Sequence, residues 1–130
     1  MALRKVGPVG YQSVKTYPTE AAISRGYGVK AGAAEGNAAP VAAAGARGIG
    51  IANEDQAVVG GPLSVTRQGD AVCIAGAAAT AGQYAKFDAT GRVIAVTGTA
   101  GGGEEVIGRF ESSPTQAGDE CIVFVNPFIL

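Results

Sequence analysis

Tyr84-Ala85-Lys86-Phe87-Asp88-Ala89-Thr90-Gly91-Arg92-Val93-Ile94-Ala95-Val96 is the stretch that decides the fold class. Two short apolar runs, 84–87 and 92–96, flank the four residues Asp88-Ala89-Thr90-Gly91, whose glycine stands where a hairpin loop needs positive φ. The segment reads as a β-hairpin. Moving outward, the same grammar repeats: short β-like runs at 27–30, 38–44, 48–52, 63–67, 70–75, 106–110 and 120–125, separated by Gly-rich turns. Pro40 makes 38–44 an edge strand at best, because proline cannot donate to a ladder. Gln68-Gly69 reads as a turn between 63–67 and 70–75, and Asn126-Pro127 as a turn that ends the last strand. The Ala-rich stretch 75–81 is bracketed too closely by Gly76 and Gly82 to form a helix. Many short strands with regular turn signals predict an all-β fold, a small antiparallel β-barrel or β-sandwich, over residues 26–130.

A faint internal repeat runs through this region. Gly26-Tyr27-Gly28-Val29-Lys30 is echoed by Gly82-Gln83-Tyr84-Ala85-Lys86, and Pro40-Val41-Ala42 by Val93-Ile94-Ala95. Ile49-Gly50-Ile51 is echoed by Ile107-Gly108-Arg109, and Leu63-Ser64-Val65 by Ile122-Val123-Phe124. The spacing drifts along the chain, as it would if loops had changed length between two similar β units.

Residues 1–25 are different. Pro8, Pro18, Gly7 and Gly10 break any helix, and no apolar period survives. Arg4, Lys5, Lys15 and Arg25 face only Glu20 there, while the other 105 residues hold six basic and ten acidic groups. A basic leader on an acidic body reads as an extended arm that lies on something acidic. Its removal is expected to leave residues 26–130 folded.

The apolar share of the 130 residues is 47%, but Ala and Val dominate it, and only 6% of residues are aromatic, beside 21 glycines. Small side chains yield little transfer energy and glycine costs backbone entropy, so burial in an assembly would help such a chain. Net charge is −1 and charged residues are sparse, which argues against a nucleic-acid partner bound through a basic field. No run approaches the roughly 20 apolar residues of a membrane-spanning helix, and Gly7-Pro8-Val9-Gly10 stands where a secretory signal would carry its apolar stretch.

Catalytic parts are scarce. The sequence has no histidine, the commonest general base and zinc ligand. Cys73 and Cys121 lie inside apolar runs and read as reduced, buried thiols, with a single cross-strand disulfide as the alternative. The acidic doublets Glu54-Asp55, Glu104-Glu105 and Asp119-Glu120 point to opposite faces of a strand, so they are not acid/base dyads and read as solvated loops. Gly45-Ala46-Arg47-Gly48-Ile49-Gly50 resembles a phosphate loop but lacks a following helix, and close strand packing accounts for its glycines. No enzyme, cofactor or metal site is expected.

In order, Gly26-Tyr27-Gly28-Val29-Lys30, Arg47-Gly48-Ile49-Gly50-Ile51-Ala52, Gly60-Gly61-Pro62-Leu63-Ser64-Val65, Gly69-Asp70-Ala71-Val72 and 81–92 form a succession similar to the small cement (decoration) proteins of tailed-phage capsids. Ile107-Gly108-Arg109-Phe110 and Gly118-Asp119-Glu120-Cys121-Ile122-Val123 continue it. The resemblance implies a β-barrel or sandwich on the outer capsid face, made in the host cytoplasm. It also implies two partners, the major capsid protein and further copies of the chain as a homodimer or homotrimer, and no cofactor. The contacts are expected from the arm (Arg4, Lys5, Tyr11, Lys15, Tyr17) and from the apolar tail (Phe128, Ile129, Leu130). The competing reading is a receptor- or glycan-binding β module of a virion appendage.

Overall fold

The computed structural model describes residues 3, 5–6, 10–98 and 101–130. It is all-β, with an antiparallel sheet curled into a half-barrel. In chain order the strands are β1 (Gln12–Pro18), β2 (Gly28–Ala31), β3 (Ala38–Pro40), β4 (Gly50–Ala52), β5 (Pro62–Ile74), β6 (Tyr84–Phe87), β7 (Val93–Ala95), β8 (Glu105–Phe110) and β9 (Glu120–Ile129). The hairpin that opened the sequence reading forms as expected, with Phe87 paired to Val93 and Asp88 closing the loop through the N–H groups of Thr90 and Arg92.

The strand order β3-β2-β4-β5-β9-β8-β6-β7 reads alike from either end. The registers repeat as well. Gly28↔Ile51 and Ile51↔Thr66 in one half correspond to Tyr84↔Arg109 and Arg109↔Phe124 in the other. Tyr17↔Leu63 between β1 and β5 corresponds to Cys73↔Cys121 between β5 and β9. Parallel bridges Thr19↔Ala38 and Ala75↔Val93 occupy matching places. The loop bonds match too: Gly26 N–H donates to Ala52 and Gly82 N–H to Phe110, both at 2.8 Å. The fold is thus two copies of one five-strand unit, and β5 serves as the last strand of the first and the first strand of the second. The sequence echoes at β2/β6 and β4/β8 coincide with this register. Those at β3/β7 and β5/β9 are displaced, since Val65 and not Ser64 stands opposite Ala52 as Val123 stands opposite Phe110.

Two departures from the sequence reading follow from β5 and β9. Gln68-Gly69 makes no turn. β5 continues through it with a bulge, where Val14 pairs with Thr66 but Ser13 with Gln68, so its two halves bury opposite faces: Leu63 and Val65 in one core, Ala71 and Cys73 in the other. Gly69 (φ 95°) is required because the Tyr11 carbonyl crosses where a Cβ would stand, accepting the N–H of Asp70 at 2.7 Å. Asn126-Pro127 does not end β9 either. Val125 pairs with Gly108 and Phe128 with Val106, so two residues of β9 oppose Ile107 alone. This is a β-bulge, one of the few places in a sheet where proline is tolerated.

The stretch read as an arm is divided by the structure. Gln12–Pro18 is β1, paired with β5 from Gln12↔Gly69 to Pro18↔Pro62 with one bulge between Ser13 and Val14, and Tyr17, Thr19 and Ile23 are buried. Its lack of period has a simple cause: within β1 only Tyr17 is buried, so no alternation is needed. β1 is the first unit's counterpart of the second half of β5, and residues 26–130 alone would lack it.

The core has two centres. Tyr17, Ile23, Val29, Ala38, Ala52, Leu63 and Val65 fill the first unit. Phe87, Phe110, Cys73, Cys121, Val123 and their neighbours fill the second, joined by Val41 and Ile51 from the first. The Phe87 ring joins the units, lying where Gly28 and Gly48 have no side chains. Burying such a ring contributes on the order of 1.5–3 kcal/mol.

Candidate functional site: the exposed aromatic face and the basic edge

The residues expected to make contacts separate into distinct groups. Arg4 lies outside the described residues. Tyr17 is buried in the first core, which corrects its assignment to a partner surface: in register with Leu63 it points into its own sheet. Tyr11 is 65% exposed. Lys15 lies over the Tyr17 ring, 5.2 Å from its centroid. Lys5 and Arg25 converge on one carboxylate, Glu120, at 3.7 and 3.2 Å. Part of the leader's charge is therefore matched by the chain's own acidic body, while Lys15 stands exposed on β1.

The tail forms the second group. Phe128 and Ile129 remain on the sheet through Val106 and Glu105, and Leu130 is fastened by its N–H to Glu104 and its carbonyl to Gly103. Backbone pairing holds the tail, but its side chains lie outside both cores: Phe128 is 37% and Ile129 57% exposed. The Phe128 ring meets Tyr84 edge-on, with centroids 5.1 Å apart. Tyr84 and Phe124 are the residues that sequence reasoning missed. Both sit at ordinary strand positions, and only the pairing Tyr84↔Arg109↔Phe124 brings them to one face. With Gly108, Asn126 and Phe128 they enclose a hollow of about 240 Å³.

Of the acidic doublets, Glu54-Asp55 is the exposed loop expected of it, while Glu104-Glu105 is half-buried and Asp119-Glu120 buried or half-buried. Asp119 is fully buried and accepts from the N–H groups of Thr115 and Gln116 and the Thr115 hydroxyl. Glu54 and Asp55 accept from Ser64 N–H and Arg25 N–H. Glu105 binds Arg47 at 2.9 Å. Glu104 accepts from Lys86 at 2.7 Å, and that hydrogen bond leads the effects holding its carboxyl below the usual range. Loops without regular structure need such side-chain acceptors for their backbone donors.

Cys73 and Cys121 are free and buried, as the composition of their runs suggested. Burial first, then the neighbouring Cys121, pushes the Cys73 thiol well up, and burial followed by Asp119 pushes Cys121 to about 12. Neither is a nucleophile at neutral pH. Among the described residues no three His, Cys, Asp or Glu side chains are grouped to hold a metal ion.

These features define a duplicated all-β module with one exposed aromatic face around Arg109 and an exposed Lys15 on β1. In fold it is similar to the N base of head fiber gp8.5 of bacteriophage phi29, with a TM-score of 0.66 at 13% identity, over 89% of this chain and 95% of that one. No family model matches the chain, and no curated protein does.

Proposed function

We propose that the chain is a non-enzymatic structural protein of a tailed-phage head, seated on the outer capsid surface against the major capsid protein. The observation that carries this reading is the shared fold: nearly the whole chain superimposes on nearly the whole of a base domain that belongs to a phage head fiber. The duplicated sheet supports it, since it offers rigid outer surfaces and spends its polar side chains on tying loops. Seating many copies on a repeating lattice makes modest contacts effective.

Two forms of this role are open to such a module. As a cement it bridges neighbouring capsid subunits; as a base it carries a projecting part, as the name of its structural neighbour, the base of a head fiber, suggests for that protein. We favour cementing, with the exposed Tyr11 and Lys15 turned to the capsid. Heads assembled with and without the chain decide the matter. Cementing predicts that the chain co-sediments with heads and that heads lacking it break at lower temperature. Heads that lose only a projection, with unchanged thermal stability, would favour the base. A chain that never travels with heads would overturn both.

A further inference from the structure

Two β-bulges open onto one surface of the sheet. In β5 Arg67 is the extra residue, since Ser13 pairs with Gln68 but Val14 with Thr66. In β9 Asn126 and Pro127 together oppose Ile107. A regular strand turns neighbouring residues to opposite faces, whereas the bulges leave Arg67, Gln68, Asn126 and Pro127 all exposed. These four line a hollow of about 480 Å³, with Ser13 on its β1 side. Asn126 also lines the aromatic hollow of Tyr84, Arg109, Phe124 and Phe128, so the two hollows adjoin. The joined strip crosses β1, β5, β9, β8 and β6, which is roughly 19 Å at the ordinary strand spacing.

We propose that this strip binds a saccharide chain that carries a carboxylate. Its chemistry selects that ligand. At one end Tyr84, Phe124 and Phe128 present aromatic surface, whose negative ring faces suit the positively polarised C–H face of a sugar ring. Further along, the Asn126 and Gln68 carboxamides both donate and accept, as sugar hydroxyls do, and Ser13 adds a hydroxyl of its own. Arg109 is matched by Glu111 at 3.6 Å, whereas among the described residues no carboxylate pairs with Arg67. The planar fork of Arg67 is thus available to a carboxylate brought by the ligand. Other ligand classes fit less well. A peptide adding as a strand finds an open edge only on β9 beyond Val125, where Pro127 has no N–H to pair with it. A nucleic acid would meet a chain of net charge −1. Saccharide binding would be a further activity, beyond the seating of the chain on a head.

An array of immobilised saccharides, neutral and carboxylate-bearing, probed with the purified chain tests it. Retention is expected on carboxylate-bearing members, and methyl esterification of a retained member should weaken it by about tenfold or more. Arg67→Gln and Tyr84→Ala should each weaken retention by a similar factor while leaving the melting temperature in place, since both side chains are exposed. Lys5→Gln removes an equally exposed cation outside the strip and should change nothing. A chain retained by no member overturns the proposal, as does retention that ignores esterification or that Lys5→Gln reduces as much as Arg67→Gln. Arg67→Gln and Tyr84→Ala variants impaired only in binding heads would assign the strip to a capsid subunit and overturn it equally. No head is present on the array, so failure there leaves the structural role standing.

Discussion

Gly50 and Gly108 are the same position in two copies of one unit. A Cβ on Gly50 would collide with the Thr66 carbonyl oxygen, and one on Gly108 with that of Phe124, while Thr66 and Phe124 are themselves equivalent in register. The fourth strand of each unit passes so close to its neighbour that only glycine fits. Gly50→Ala and Gly108→Ala should therefore each cost about 1–3 kcal/mol of stability. Urea unfolding measures this. A neutral substitution at either site would refute the close approach there.

Phe87 joins the two units by filling the room left by Gly28 and Gly48. Phe87→Ala leaves a cavity between cores that cannot easily collapse, and should cost roughly 3–5 kcal/mol. Phe87→Leu should recover part of that loss. Equal stability of the two variants would show that the ring does not bridge the units.

Truncation separates the two parts of the leader. Removing residues 1–10 should leave the melting transition nearly unchanged, because β1 begins at Gln12. Removing residues 1–25 takes away Tyr17, Thr19 and Ile23 and leaves the first half of β5 without its β1 partner. Circular dichroism should then show a chain that is unfolded or nearly so. A cooperative transition in the longer truncation would restore the view of 1–25 as a separable arm.

The cysteines supply a pH signature. Both thiols have folded-state values raised above the ordinary 9.0, Cys121 to about 12. A raised value means the folded protein keeps a proton that the unfolded chain releases. The contribution is fully present below pH 9.0 and is lost as pH climbs from there toward 12. Thermal melts should be flat with respect to these groups near neutrality and fall in that alkaline window, and Cys73→Ala with Cys121→Ala should flatten the fall. Native protein at neutral pH should also resist alkylation until it unfolds. Rapid alkylation of the folded chain would contradict the buried placement.

Removing Phe128, Ile129 and Leu130 should leave a folded chain, since neither core includes them. The loss of the Phe128–Tyr84 ring contact is worth about 0.5–1.5 kcal/mol. Unfolding of this variant would instead make the tail part of the chain's own core.

The class of fold was legible from local chemistry alone. Short β-branched and apolar runs, the Asp88–Gly91 loop and the many glycines have no helical reading, and the buried cysteines declare themselves by apolar neighbours. The repeat was half legible, at β2/β6 and β4/β8, where Gly-Tyr/Gln and Ile-Gly pairs recur because each copy bends and packs at the same backbone positions. Other features were decided by tertiary structure. β1 carries no pattern because it buries one side chain, so only its partner β5 reveals it as a strand. Gly69 looks like a turn residue, and only the Tyr11 carbonyl crossing beside it shows why glycine stands in a continuous strand. Tyr84, Arg109 and Phe124 lie far apart in sequence, and pairing across three strands is what makes them one face. Local pattern records whether a residue sits in a strand; which strands adjoin, and which faces stay uncovered, depends on packing between segments that no single stretch of sequence contains.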